Sequence, residues 1–413
     1  MRLRPILMII LMNLLGFSLL YLFQQGKDVH ILYCMAAMCA LCIGVYAVMS
    51  AFELGDVYLY LMVAMLVTVG MIMLFRLDPD YGYSQIKWFG AGTAVFFASY
   101  FVYRSFGGWS KFTYLYMGGA VLLYVVTLVF GEEIKGAKNW IAVGKFTIQP
   151  SEFIKILYCF ALASFFSRRH ESKNLKERLT GVTRDDIILC GFVYLCIGFF
   201  IIQREWGTAL LFFLIYFSML ILYDAPLVVL LGNAAFAALG AYGGYLFTSH
   251  IKVRVSTWLN PWADATNRGY QIIQSLMAIC SGGYFGAGVG NGNPYLIPEV
   301  HSDFIFSAIC EEMGIFMGIA IIILYFIFSY RGFKTAIRTS DSYDRALCLS
   351  LVISFAFQTF IIVGGVIKLI PLTGITLPFV SYGGSSMVSC FIMLGILTAV
   401  SFGRKDKKFK KGS

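Results

Sequence analysis

The stretch YLIPEVHSDFIFSAICEEMG, residues 295–314, places Glu299, His301, Asp303, Glu311 and Glu312 among apolar residues. Only 13% of the chain is charged, so this density is unusual. A carboxylate can accept the proton of an attacking hydroxyl, and Asp is also among the best helix-capping residues. Asp303, directly before Phe-Ile-Phe, suits both roles. His301, Ser302 and Asp303 are consecutive, which does not make them a hydrolase triad, because triads are defined by geometry.

A second cluster, EEIKGAKNWIAVGKFTIQPSEFIK (132–155), carries Lys138, Lys145, Glu152 and Lys155. Pro150-Ser151-Glu152 reads as the start of a helix, and Glu152 and Lys155, three apart, share a face on which they can pair. An ion pair and an anion-binding role both stand. QREWGTAL (203–210) sets Arg204 and Glu205 at the edge of an apolar run, where a snorkelling Arg with Glu as partner is the simplest reading. The glycines at 286, 288, 290 and 292 lack the lysine and the strand–helix context of a phosphate loop, so they read as a tight turn. In GGVIKLIPLTGITLPFVSYGGSSM (364–387), Pro371, Gly374 and Pro378 interrupt a helix. Lys368, Ser381, Ser385 and Ser386 then lie along irregular backbone, which at membrane depth is tolerated only where it lines a cavity or is packed in protein.

The elements holding these residues must be membrane helices. The chain has 413 residues, 59% hydrophobic and 17% aromatic, with mean hydropathy +0.78. This is an all-α polytopic membrane protein. With about 20 apolar residues per crossing, twelve spans are expected: 4–24, 29–51, 57–75, 86–103, 112–130, 151–167, 186–202, 207–223, 226–248, 303–329, 345–367 and 377–401. An even count puts both termini on one side. The basic stretches 167–184, 330–338 and 403–413 then lie in the cytoplasm with the N-terminus, as the positive-inside bias requires. Outside lie 131–150, a short turn near 368–377, and the large loop 249–302, whose middle part suits a short helix in the headgroup region. The charge of +10 is thus explained by topology, and no nucleic-acid partner is expected. The ten cysteines show neither zinc spacing nor a disulfide framework.

Five stretches in order resemble one family: GAKNWI (136–141), QPSEFIK (149–155), WLNPWADATNRGYQIIQSLMAI (258–279), PEVHSDFIF…EEMG (298–314) and LPFVSYGGSS (377–386). The sequence is similar there to the shape, elongation, division and sporulation family, whose members include FtsW, RodA and SpoVE. The resemblance implies a ten-helix glycosyltransferase domain over 57–401, preceded by two extra helices in 1–56 and followed by a basic tail, 402–413. It implies a peptidoglycan glycosyltransferase in the bacterial cytoplasmic membrane, polymerising lipid II at the outer face by a single inverting displacement, beside a class B penicillin-binding protein. Asp303 is then the catalytic base. Substrate contacts are expected from Lys138, Glu152, Lys155, Arg254, Gln271, Glu299, His301, Ser381, Ser385 and Ser386. Lys138, Lys155 and Arg254 are placed on the diphosphate by charge and position. A divalent cation fits on that diphosphate, although no cluster has the spacing of a dedicated metal site. Two departures stand out: QREWGTA where the family shows Q-P-D-x-G-T-A, and Lys368 where it often carries Gly. A lipid II flippase, or a scaffold for the crosslinking enzyme, is the alternative.

Overall fold

The computed structural model describes residues 4–23, 28–134, 137–144, 146–169 and 181–403. The basic segment 170–180, Lys145 and the tail from 404 onward lie outside the described residues. Among the described residues, fifteen α-helices run in the order α1 (Arg4–Phe23), α2 (His30–Ala51), α3 (Val57–Leu77), α4 (Pro79–Ser105), α5 (Thr113–Phe130), α6 (Pro150–Phe166), α7 (Arg184–Ile202), α8 (Trp206–Leu222), α9 (Leu227–Phe247), α10 (Ser249–Leu259), α11 (Tyr270–Gly282), α12 (Ile305–Met313), α13 (Ile315–Arg338), α14 (Ser342–Val366) and α15 (Gly384–Ser401). In lipid every backbone N–H and C=O must be satisfied within the protein, and helices do this locally. Among the described residues, nine helices are long and apolar enough to cross a membrane. Three more helices match expected spans. They are α4, which carries several charges, and α6 and α8, each 17 residues long.

The centre is formed by α3, α14 and α15, whose most apolar windows are 83%, 78% and 78% buried. Helix α4 packs along α15, α6 along α5 and α14, and α1 along α2 and α3. At the other extreme, α9 is 11% buried and touches mainly α8 and α10. Short polar devices fix the helix starts: Asp56 accepts from the Tyr58 amide, Asp341 from those of Tyr343 and Asp344, and Thr183 forms a capping box with Asp186. Asp56 also receives Arg331 of α13 at 2.7 Å, and its amide donates to Ser401 Oγ at 2.8 Å. The first helix of the expected ten-helix domain is thereby fastened to the last.

Several expectations are revised, and one polar segment gains a structure. The polar segment after α5 folds as a small antiparallel sheet, β1 (Glu132–Ile134), β2 (Ala137–Val143) and β3 (Phe146–Ile148), with Trp140 opposite Glu132. The expected span 303–329 is broken at Gly314 (φ 87°), so the crossing helix is α13 and the basic stretch 330–338 belongs to its last turns. The break is held by the preceding loop: the Ile315 amide donates to Gly283 O at 2.9 Å, and a Cβ on Gly314 would sit 2.3 Å from Tyr284 O. The span expected at 377–401 starts only at Gly384, after an irregular 367–383. Finally, Asp303 is not the cap of the helix that follows it. Phe304 occupies that position, with no side-chain capping bond. Ser151 does not cap α6 either; Gln149 precedes Pro150 at that start, also without a capping side chain.

Candidate active site

Asp303 ends the turn Glu299–Asp303, which is closed by hydrogen bonds from the Ser302 and Asp303 amides to Glu299 O at 3.1 and 3.2 Å. The turn needs Glu299 in the left-handed region (φ 57°). Ser381 fastens it from the other side: its Oγ donates to Ser302 O at 2.6 Å and accepts the Leu377 amide at 2.9 Å. The Tyr382 amide adds a bond to His301 O at 2.9 Å. His301 stacks on Tyr81 at 4.5 Å, with Tyr382 at 5.8 Å and Glu299 Oε2 3.9 Å from Nε2. Gln85 of α4 locks the same loop, donating to Ser381 O and accepting the Gly383 amide.

Arg254 arrives from α10. Its Nη1 donates to Leu372 O at 2.9 Å and Thr373 O at 2.8 Å. Asp303 and Arg254 converge on Gly374 (φ 76°), where an added Cβ would lie 3.4 Å from Asp303 Oδ2 and 3.8 Å from Arg254 Nη2. Burial lowers the pKa of Arg254 from its ordinary value, and the negative charge of Asp303 opposes that shift. A carboxylate and a guanidinium, each anchored by backbone, thus meet where the broken segment turns. The first can hold a proton, the second an anion.

A second polar cluster lies inside the bundle. Lys155 Nζ donates to Glu152 Oε2 at 2.8 Å and to Gln358 Oε1 at 2.9 Å, and Ser389 Oγ donates to Glu152 Oε2 at 2.6 Å. Gln358 continues to Thr376 O at 3.0 Å, and Thr376 pairs with Ser386 at 2.9 Å. The expected i,i+3 pair is therefore formed. Lys155 is only 2% exposed, so in this conformation its charge serves the cluster and not a ligand. Ser385 accepts the Gln149 amide at 3.0 Å. Gln358 and Ser389 were not singled out in the sequence. An amide in mid-span was the available signal for Gln358.

Glu205 forms a third cluster. Its Oε1 accepts from Asn139 of β2 at 2.5 Å, Gln149 at 3.0 Å and Ser151 at 3.5 Å. Glu205 turns inward while Arg204 is exposed in a left-handed conformation (φ 61°), so this carboxylate ties sheet, α6 and α8 together. Lys138 lies on β2 opposite Glu133, its side chain outside the described residues. Gln271 is half-buried in the first turn of α11.

Burial raises the pKa of Glu205, against the hydrogen bonds it accepts. An acid whose pKa is raised by folding stabilises the fold fully below its ordinary value of 4.5, and that stability is lost as pH rises towards the raised value. Glu205→Gln keeps an acceptor oxygen and should remove this loss, flattening the dependence of the thermal midpoint as pH rises above 4.5. Glu205→Ala strands three donors at about 1–3 kcal/mol for each one left buried. Equal midpoints for the Ala and Gln variants would refute this account.

A bundle of membrane helices with a broken segment, facing a carboxylate–guanidinium pair, defines a polytopic membrane protein with a polar site at one end of its helices. The chain belongs to the cell cycle protein family of FtsW, RodA and SpoVE, whose family model matches residues 56–406. It is 36% identical over 370 residues to the peptidoglycan glycosyltransferase RodA of Mycobacterium tuberculosis, covering 85% of this chain and 78% of that protein. It is 32% identical over 368 residues to the stage V sporulation protein E of Bacillus subtilis, covering 84% and 96%. Among solved structures, a chain of a peptidoglycan synthase complex described as coordinating polymerization and crosslinking superposes with TM-score 0.70 at 25% identity, covering 84% of this chain and 98% of that one. The rod shape determining protein RodA of Thermus thermophilus gives 0.62 at 25% identity, covering 84% and 97%.

Proposed function

We propose that this chain, a peptidoglycan glycosyltransferase, polymerises lipid II at the Asp303–Arg254 site. The observation that carries the assignment of the site is the meeting of these two groups at Gly374, one on the loop before α12 and the other on α10. Asp303 takes the proton of the acceptor sugar's 4-hydroxyl as that oxygen attacks the anomeric carbon of the donor. The bond from that carbon to the lipid diphosphate breaks in the same displacement, and the electron pair leaves with the diphosphate. Arg254 stabilises the negative charge developing there. One displacement turns an α-linked donor into a β-linked product. His301 on Tyr81 and the Ser381 bonds hold the Asp303 turn in place.

Among the described residues no group of three or more His, Cys, Asp or Glu comes together for a metal ion. In this proposal a divalent cation would enter with the diphosphate, and Arg254 supplies positive charge from this chain. Orientation belongs to the same proposal: both termini are cytoplasmic, and the loop 249–302 faces outward. So do the two N-terminal helices in 1–56, the catalytic unit 57–401 and the tail 402–413. The solved relative from a complex that couples polymerization and crosslinking supports a class B penicillin-binding protein as partner. The test is purified chain in liposomes with labelled lipid II. Glycan strands are expected. Lipid II that crosses the bilayer with no polymer formed would favour a flippase, and growth support without either activity would favour a scaffold.

A further inference from the structure

The family match begins at residue 56, yet two ordered helices precede it. Helix α1 is set against α3 by more than lipid-like packing. Asn13 Nδ2 donates to Thr68 Oγ1 at 3.0 Å inside the interface, and Phe17 meets Phe75 edge-on at 5.5 Å. These contacts fix the register of α1, so that its last residue, Phe23, reaches the outer loop. There the Arg76 guanidinium lies 4.8 Å from the centre of the Phe23 ring. Arg76 in turn pairs with Glu312 at 3.0 Å and donates to Gly290 O at 3.0 Å and Gly292 O at 3.2 Å. The carboxylates of Glu311 and Glu312 accept the amides of Asn293 at 2.8 Å and Gly290 at 3.0 Å. Phe23 lies so close to Gly290 (φ 97°) that a Cβ there would be 2.2 Å from its ring. The glycine run read earlier as a tight turn is thus the seat of an aromatic side chain from outside the matched region.

A second tether leaves the same helix pair. Asp28, just before α2, accepts a short hydrogen bond from the Tyr83 hydroxyl. Tyr83 shares the start of α4 with Tyr81, on which His301 stacks. Both routes end on the 283–303 loop that carries Asp303.

We propose that the α1–α2 pair is a brace for the active-site loop, with Phe23 and Asp28 as positioning residues acting through Arg76 and Tyr83. The inference rests on the proposed polymerase reading for its kinetic consequence, and on geometry alone for its structural one. The brace acts on the position of Asp303 and not on substrate binding, so its loss lowers kcat and leaves KM for lipid II unchanged.

The experiment uses the full chain in liposomes, with Phe23→Ala and, separately, Asp28→Asn combined with Tyr83→Phe. Backbone amide exchange is followed by mass spectrometry beside the polymerisation kinetics. Phe23→Ala should raise exchange of 286–293 and lower kcat by about tenfold, a scale set by loss of one partly buried cation–π contact; the Asp28/Tyr83 pair should raise exchange around His301 and also lower kcat, with α14 exchange unchanged in both. Unchanged exchange in the segment named for either variant overturns the brace whether or not the chain polymerises lipid II. Raised exchange with unchanged kcat overturns its link to catalysis. If Phe23→Ala also opens α14, the Asp28/Tyr83 pair decides, because it removes only one hydrogen bond at the helix ends.

Discussion

Asp303→Asn should lower lipid II polymerisation by about 10²–10⁴-fold, the range expected when a general base is removed. Asn keeps the size of the side chain, so the turn closed on Glu299 O and fastened by Ser381 remains. What disappears is the carboxylate that meets Arg254 at Gly374. Strand formation by the purified variant in liposomes is the measurement, with lipid II binding followed separately. Binding retained and polymer lost would separate chemistry from recognition. Turnover within a few-fold of the parent would remove Asp303 from the role. Because the Asp303 charge offsets the burial of Arg254, the variant should also lower the thermal midpoint, and turnover is therefore compared at a temperature where both proteins remain folded.

The second large effect is one of stability. Lys155→Met leaves Glu152 buried with Ser389 as its remaining recorded side-chain partner, and uncompensated buried charge typically costs about 3–5 kcal/mol. Lys155→Met combined with Glu152→Gln removes both charges and should recover much of that loss. The two residues touch, so their effects should depart from additivity by about 0.5–3 kcal/mol. Unfolding of these two variants and of Glu152→Gln alone, in detergent, completes the cycle. Additive losses would show that the pair contributes nothing beyond its separate members. Turnover of the double variant then tells whether the cluster has a role besides holding α6, α14 and α15 together through Glu152, Lys155, Gln358 and Ser389.

Much of the architecture was legible because membrane helices leave a coarse, local signal. The division of 186–248 into three helices and the irregular run around Pro371, Gly374 and Pro378 both follow from hydropathy and from the missing amide of proline. The Glu152–Lys155 pair was legible for the same reason, since helical spacing alone brings the two together. The break at Gly314 was not. Apolar residues continue on both sides of it, and what stabilises it is a loop 30 residues upstream. The sheet after α5 depends on pairing between short polar segments that carry little pattern of their own. Arg254 was chosen from charge and position, but its approach to Asp303 depends on the fold of the segment 372–374, more than a hundred positions away. Lys155, an expected diphosphate contact, turned out to be sealed, because burial is decided by neighbours that helix periodicity does not reveal.

The stitching of Asp56 to Ser401, and the long seam between α4 and α15, have a consequence for biosynthesis. The last of the described helices, α15, supplies Ser389 to Glu152, and the irregular segment leading into it supplies Ser381 to the Asp303 turn. Until that helix inserts, the earlier helices hold an open slot in which the Glu152 carboxylate lacks one donor and the Asp303 turn lacks its clasp. On the proposed reading of Asp303, the candidate site is therefore complete only once α15 has packed against the earlier helices.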